Sequence, residues 1–238
     1  MIRNVFFWLV CFFEVVLGLL FSPLILLSPD RGKLLHPVMA VFSRLDLWIA
    51  GVKLSQRGLE NIPPEDGLIF ACNHQSMVDV LVALAYLPKY SHFVVMEQVY
   101  AVPLLNLFMD LAGYVRVNQG NAKESVFSVM KIIRLMKRGE NIMIFPEGTR
   151  TLDGKINKFK DGVAMLIIKS KNKVVPMAIA GSMKIMHKHE LKVHPGPVKL
   201  IIGKPLEFPE IDEVSQDNIK LVTHRLEEAI ESLFKQIA

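Results

Sequence analysis

At 238 residues the chain is long enough for one sizeable α/β core with an appendage. A formal charge of +5 suits an anionic partner such as a phospholipid surface or a phosphorylated substrate. The absence of zinc-finger spacing, an RNP-like aromatic motif or a basic helix excludes nucleic acid, and two cysteines far apart in apolar surroundings, Cys11 and Cys72, exclude a disulfide framework.

Hydrophobic residues make up 51% of the chain and the mean hydropathy is +0.34, with much of the excess in the first 50 residues. Residues 5–27 carry a single charge, Glu14. At about 1.5 Å per residue, a continuous helix there could cross a hydrocarbon core of about 30 Å. Three features count against a simple span: Glu14 lies near the middle, Pro23 interrupts the final turns, and cations flank both ends at Arg3, Arg31 and Lys33. Residues 34–52 read as an amphipathic helix, with Trp48 and Arg44 placed for a membrane interface. Two readings stand side by side: a hairpin that enters and leaves one leaflet, and a single transmembrane span. A cleaved signal is disfavoured because no small-residue cleavage site follows the apolar run.

After Ser55 short apolar runs alternate with helix-length segments, the pattern of βαβ units. Strands are predicted over 67–72, 92–96, 114–117, 141–145, 174–179 and 198–202. Helices are predicted over 77–87, 103–111, 122–137 and 162–169. A further helix over 216–237 follows from the 3.6-residue spacing of Ile219, Val222, Leu226, Ile230 and Leu233. The expected fold is α/β, a largely parallel sheet flanked by helices and preceded by an N-terminal membrane-associated helical hairpin. Residues 1–53 would form the membrane-associated helices and 54–238 the α/β domain.

Two stretches carry chemistry. After the first apolar run comes Asn73-His74-Gln75-Ser76-Met77-Val78-Asp79, a histidine in a strand-to-helix turn with an aspartate five residues on. Asp79 could hold one imidazole nitrogen and leave the other free to accept a proton from a substrate hydroxyl. Taken alone, the residues read more readily as polar groups that satisfy the local backbone. Residues 145–150, Phe-Pro-Glu-Gly-Thr-Arg, follow the strand at 141–145. Their glycine allows close backbone approach, the arginine can hold a phosphate bidentately and the glutamate can accept from hydroxyls, so they describe a pocket for a phosphorylated polyol or, equally, a charged turn. A zinc site, a serine nucleophile elbow and a phosphate-binding P-loop all fail on spacing or on residue type.

Together these stretches resemble the glycerolipid acyltransferase family. Asn73-His74 with Asp79 is similar to its N-H-x4-D motif, and residues 145–150 match its F-P-E-G-T-R motif in the expected order. Phe159-Lys160 with Gly162 resembles its F-K-x-G stretch and Val175-Pro176 its V-P motif, with Gly203-Lys204-Pro205 a weaker echo. The resemblance implies transfer of a fatty acyl group from a thioester, on coenzyme A or acyl carrier protein, to the free hydroxyl of a lysophospholipid, in the first place 1-acylglycerol 3-phosphate. It implies His74 as general base, Asp79 as its support, and acceptor binding by Glu147, Gly148, Thr149, Arg150, Lys160 and Arg116. No cofactor and no metal is implied, and the location is the cytoplasmic face of a phospholipid membrane.

One departure bears on the acceptor. The family's second motif ends in Asp-Arg, whereas Gly113-Tyr114-Val115-Arg116-Val117 is followed here by Asn118-Gln119. Either Arg150, Lys160 and Arg116 hold the phosphate in a changed geometry, or the acceptor headgroup differs. A non-catalytic lipid-binding protein is the alternative from another class. The lysines Lys155, Lys158, Lys160, Lys169, Lys171 and Lys173 read as a solvated face, or as a surface for anionic headgroups or a carrier protein.

Overall fold

In a computed structural model, the chain is described at residues 2–28, 30–118, 120 and 122–238. Two helices, α1 (Ile2–Leu20) and the short α2 (Ser22–Leu26), precede a long third, α3 (Arg31–Ala50). There follow β1 (Val52–Arg57), β2 (Ile69–Cys72), α4 (Val78–Tyr86), β3 (Ser91–Met96), α5 (Leu105–Leu111) and β4 (Val115–Val117). The order closes with α6 (Ala122–Met136), β5 (Asn141–Ile144), α7 (Asp161–Ser170), β6 (Val174–Ala180), α8 (Ser182–Ile185), β7 (Gly196–Ile202) and α9 (Gln216–Lys235). Among the described residues seven strands make one sheet in the order β1-β7-β6-β2-β5-β3-β4.

The central strands β2 and β5 are buried along their whole length, as parallel strands covered on both faces must be. Alternation sorts their side chains into two cores. Leu68, Phe70, Cys72 and Met143 face a layer that includes α3 and α4, while Ile69, Ala71, Ile142 and Ile144 face α6, α7 and α9. Helix α9 is capped by Ser215, whose hydroxyl accepts from the Asn218 amide. It buries Ile219, Val222, Leu226 and Ile230, the periodic residues that predict it.

The sheet is largely parallel, as expected, with one reversal: β6 and β7 pair antiparallel, so β7 and β1 run against the rest. Strand β1 corrects the sequence reading, which ran a helix through Val52. Its Val52-Lys53-Leu54-Ser55-Gln56-Arg57 is a mostly exposed edge with too little apolar character to signal a strand, and the expected boundary between 53 and 54 falls inside it. The single helix over 5–27 is likewise broken at Phe21, just before Pro23, into α1 and α2.

Helices α1 and α3 are antiparallel: Cys11 Sγ lies 3.4 Å from Asp46 Oδ1, and Arg3 approaches Gly51 at the end of α3. Both carry apolar residues on two sides. Phe7, Leu35, Met39 and Leu47 enter the core, yet Leu34, Val38, Val41, Leu45 and Trp48 form a second, outward stripe on α3 at spacings of three and four. On α1 the outward residues include Phe6, Leu9, Phe12 and Phe13.

Gly181 turns the chain from β6 into α8 at φ +90°, where an added Cβ would lie 2.4 Å from the Pro197 carbonyl oxygen. Gly181→Ala is expected to destabilise the fold by about 1–3 kcal/mol through backbone strain and this clash, read as a lowered midpoint in denaturant unfolding.

Candidate active site

Where β2 ends, the chain must satisfy backbone groups that have lost their sheet partners. Asn73 does so by imitating a peptide group: its Oδ1 accepts from the Ile179 amide at 2.8 Å and its Nδ2 donates to the Ile179 carbonyl at 2.9 Å. Asp79, fully buried in the first turn of α4, gathers the next donors on one oxygen. Its Oδ2 accepts from the amides of Gln75 at 2.6 Å and Ser76 at 2.8 Å, and lies 2.9 Å from His74 Nδ1. A carboxylate only accepts, so Nδ1 carries the proton and Nε2 holds the free lone pair. The imidazole stacks on Phe145 with centroids 4.0 Å apart and planes 15° from parallel, and its side chain is 14% exposed. The predicted histidine and aspartate are thus brought together, with the basic nitrogen outward.

The stretch 145–150 leaves β5 in a tight turn. Pro146 supplies the turn's φ, the Gly148 amide donates to the Phe145 carbonyl at 3.0 Å, and Gly148 itself takes φ +67°, a region open to glycine. Inside this turn Glu147 is 1% exposed. Its Oε1 accepts from the His74 amide at 2.6 Å, and its Oε2 from the Asn157 amide at 2.7 Å and Asn157 Nδ2 at 2.8 Å. This corrects the acceptor-binding role expected for Glu147, because a buried carboxylate with both oxygens engaged has nothing to offer a substrate. Burial pushes its pKa above the usual carboxylate range, opposed by the N–H donors of Asn157 and His74. The Thr151 amide then donates to the His74 carbonyl at 2.9 Å, so the two motifs are laced together on both sides of the histidine.

Arg150 is half-buried. It directly precedes Thr151, whose amide is bonded to the His74 carbonyl; burial lowers its pKa while the Asp79 carboxylate favours its charge. Among the described residues no carboxylate forms an ion pair with it. Thr149 is exposed beside it, its hydroxyl accepting from Lys188 Nζ at 3.0 Å.

The remaining predicted residues separate. Lys160 is exposed just before α7, tied to the turn only by its amide, which donates to the Pro146 carbonyl. Arg116 is not brought to the histidine. It lies on β4, three strands from β2 and hence about 14 Å across the sheet, where it stacks on Tyr100 at 4.1 Å and pairs with Glu97 at 3.3 Å. Gln119 lies outside the described residues. The lysine cluster divides too: Lys171 and Lys173 are paired with Asp212, Glu65 and Glu207, Lys155 lies 3.9 Å from Asp153, and Lys158, Lys160 and Lys169 are exposed. Asn157 and Gln75 were missed. Gln75 is buried and donates to the Gly154 carbonyl at 3.0 Å; it fills an unspecified position of the N-H-x4-D stretch, and Asn157 lies outside the quoted motifs.

A family model described as acyltransferase matches residues 53–180. The chain is 30% identical over 218 residues to the chloroplastic 1-acyl-sn-glycerol-3-phosphate acyltransferase of Arabidopsis thaliana, covering 89% of this chain and 61% of that protein. It is 30% identical to the 1-acyl-sn-glycerol-3-phosphate acyltransferase of Bacillus subtilis over 187 residues, which is 77% of this chain and 88% of that protein. The chain spans about three-fifths of the length of the plant relatives it matches. Its fold matches the crystal structure of the 1-acyl-sn-glycerophosphate acyltransferase of Thermotoga maritima with a TM-score of 0.80 at 24% identity, over 98% of this chain and 95% of that one.

In Glu147→Gln an amide nitrogen would replace one oxygen and face an N–H donor of His74 or of Asn157. The expected loss of stability is about 1–3 kcal/mol in chemical denaturation, because a buried donor is left unpaired. An unchanged midpoint would return Glu147 to a role outside the protein's own network.

Proposed function

Because the chain belongs to the acyltransferase family, we propose that it moves a fatty acyl group from a thioester to the free hydroxyl of 1-acylglycerol 3-phosphate, giving phosphatidate. The observation that carries this reading is the His74–Asp79 pair, with Nε2 outward, beside an arginine that no carboxylate pairs among the described residues. Nε2 takes the hydroxyl proton as the acceptor oxygen attacks the thioester carbonyl. An oxygen–carbon bond forms, the carbon–sulfur bond breaks, and the departing thiolate receives the proton from the imidazolium. Asp79 fixes the tautomer and stabilises the transient imidazolium, and Phe145 holds the plane of the ring. Arg150 takes the acceptor's phosphate, for which a guanidinium fork is suited. Glu147 sets the height of His74 through its amide and touches no substrate. The donor thiol is that of coenzyme A or of acyl carrier protein, and no cofactor enters the chemistry.

The acceptor is a lipid, and the N-terminal helices support delivery from a membrane. The outward stripe of α3 ends in Trp48, 74% exposed, and α1 likewise exposes Phe6, Leu9, Phe12 and Phe13. Helix α1 is fastened to the rest of the protein near both ends, by Trp8 Nε1 to the Leu191 carbonyl at 2.7 Å and by the packing of Gly18 against Phe108. A helix held along its length against the domain favours lying in one leaflet with its apolar side down over a perpendicular span.

Two experiments test the reading. Thiol release from acyl-CoA and from acyl carrier protein, measured over a panel of lysophospholipids, should be fastest with 1-acylglycerol 3-phosphate. His74→Ala should lower kcat by about 10²–10⁴ while the protein still melts in one cooperative transition; wild-type rates in that variant would remove His74 as the base. For the membrane, Phe12→Glu combined with Trp48→Glu should weaken partition into phospholipid vesicles by about 100-fold in a sedimentation assay, given the apolar area withdrawn from the interface.

A further inference from the structure

The stretch 145–150 offers one cation for the acceptor phosphate, Arg150. We propose that Lys188, thirty-eight residues further on and in no motif, is the second cation of that phosphate site. The inference rests on the acceptor reading above. Lys188 Nζ donates to Thr149 Oγ1 at 3.0 Å and to the Arg150 carbonyl at 2.9 Å. Both partners are neutral. An ammonium has three N–H bonds, so one remains free, and its charge is uncompensated: no carboxylate pairs with Lys188 among the described residues. Lys33, Lys89, Lys171 and Lys173 each pair with a carboxylate. Lys188 instead spends two donors to hold its charge against the residue pair that carries the acceptor arginine.

The loop that bears Lys188 is fixed from several sides. At its start the Met186 carbonyl accepts from Ser76 Oγ at 2.8 Å, two residues from His74. Further on, the Leu191 carbonyl accepts from Trp8 Nε1, the Val193 amide donates to Asn4 Oδ1, and the His194 amide donates to the Ile185 carbonyl at 2.8 Å. The ammonium is therefore preorganised, with little side-chain freedom left to lose when a phosphate arrives. Arg150 and Lys188 together supply the charge of a phosphomonoester dianion.

A phosphomonoester could come from the acceptor or from the 3′-phosphate of coenzyme A, and steady-state kinetics in mixed micelles separate the two. Lys188→Gln should raise KM for 1-acylglycerol 3-phosphate by about 10- to 100-fold, with kcat and KM for acyl-CoA within about twofold of wild type. Lys188→Arg should recover most of the loss. Glycerol 3-phosphate should raise the melting temperature of the wild type and not of Lys188→Gln. A selective rise in KM for acyl-CoA, an unchanged KM for the acceptor, or a fall in kcat and melting temperature that Lys188→Arg does not repair would each overturn the assignment. If the wild type releases no thiol with 1-acylglycerol 3-phosphate while glycerol 3-phosphate still stabilises it through Lys188, the acceptor reading fails and the cation site stands. If the wild type turns over and Lys188→Gln matches it in both assays, the reverse holds.

Discussion

Everything at the site depends on how backbone amides are satisfied after β2 leaves the sheet. A strand buried on both faces ends in a loop that is itself buried, and each unpaired N–H there would cost about 1–3 kcal/mol. The protein meets this with side chains: Asn73 continues the ladder to Ile179, Glu147 takes the His74 amide, and Asp79 takes those of Gln75 and Ser76. Because Asp79 also faces the imidazole Nδ1, the carboxylate that folds the loop is the one that orients the histidine. Folding and preorganisation here are the same set of hydrogen bonds. The exception is Asp79 Oδ1, buried without a hydrogen-bond partner among the described residues, in a carboxylate whose charge favours the charged form of Arg150.

This double use explains what could and could not be read from the chain. Strands β2, β5 and β6 announce themselves as apolar runs because both faces are covered, and α9 announces itself by a clean helical period. Strand β1 is silent, since an edge strand with a polar exposed side looks like a loop. The antiparallel turn of β7 against β6 is equally invisible, because the apolar run 198–202 fits either direction. His74, Asp79 and Arg150 carry their chemistry in residue type and spacing. Glu147 misleads for the same reason: a glutamate in a turn looks available, and only the placement of Asn157 ten residues on reveals that its oxygens are taken. Arg116 misleads in the opposite way, as a cation at the right distance in sequence but on a strand at the far side of the sheet.

The position of Lys188, the proposed second cation, follows from the sheet reversal. After β6 the chain turns at Gly181, runs through α8, and must return antiparallel along β7. The loop that makes this return passes the end of β6, next to β2 and so next to the histidine. A parallel crossover would have carried the chain back to the opposite end of the strands and away from the site. The reversal is what lets residues 186–195 reach the turn after β5, and a lysine there lies beyond any local motif.

That loop also joins the site to the N-terminal helices. Trp8 and Asn4 of α1 bind its backbone at Leu191 and Val193, while Lys188 binds the turn of Arg150. On the proposed reading, a helix lying in a leaflet and a cation held to it by a few residues stand at a set distance from each other along the membrane normal. A lysophospholipid is under the matching constraint, with its acyl chain in the hydrocarbon and its phosphate at headgroup depth. If the cations were free to move relative to α1, the free hydroxyl would sample many heights above His74 Nε2. On that reading, tying them together through residues 186–195 would convert membrane depth into reaction geometry, which is where proximity contributes most to an acyl transfer.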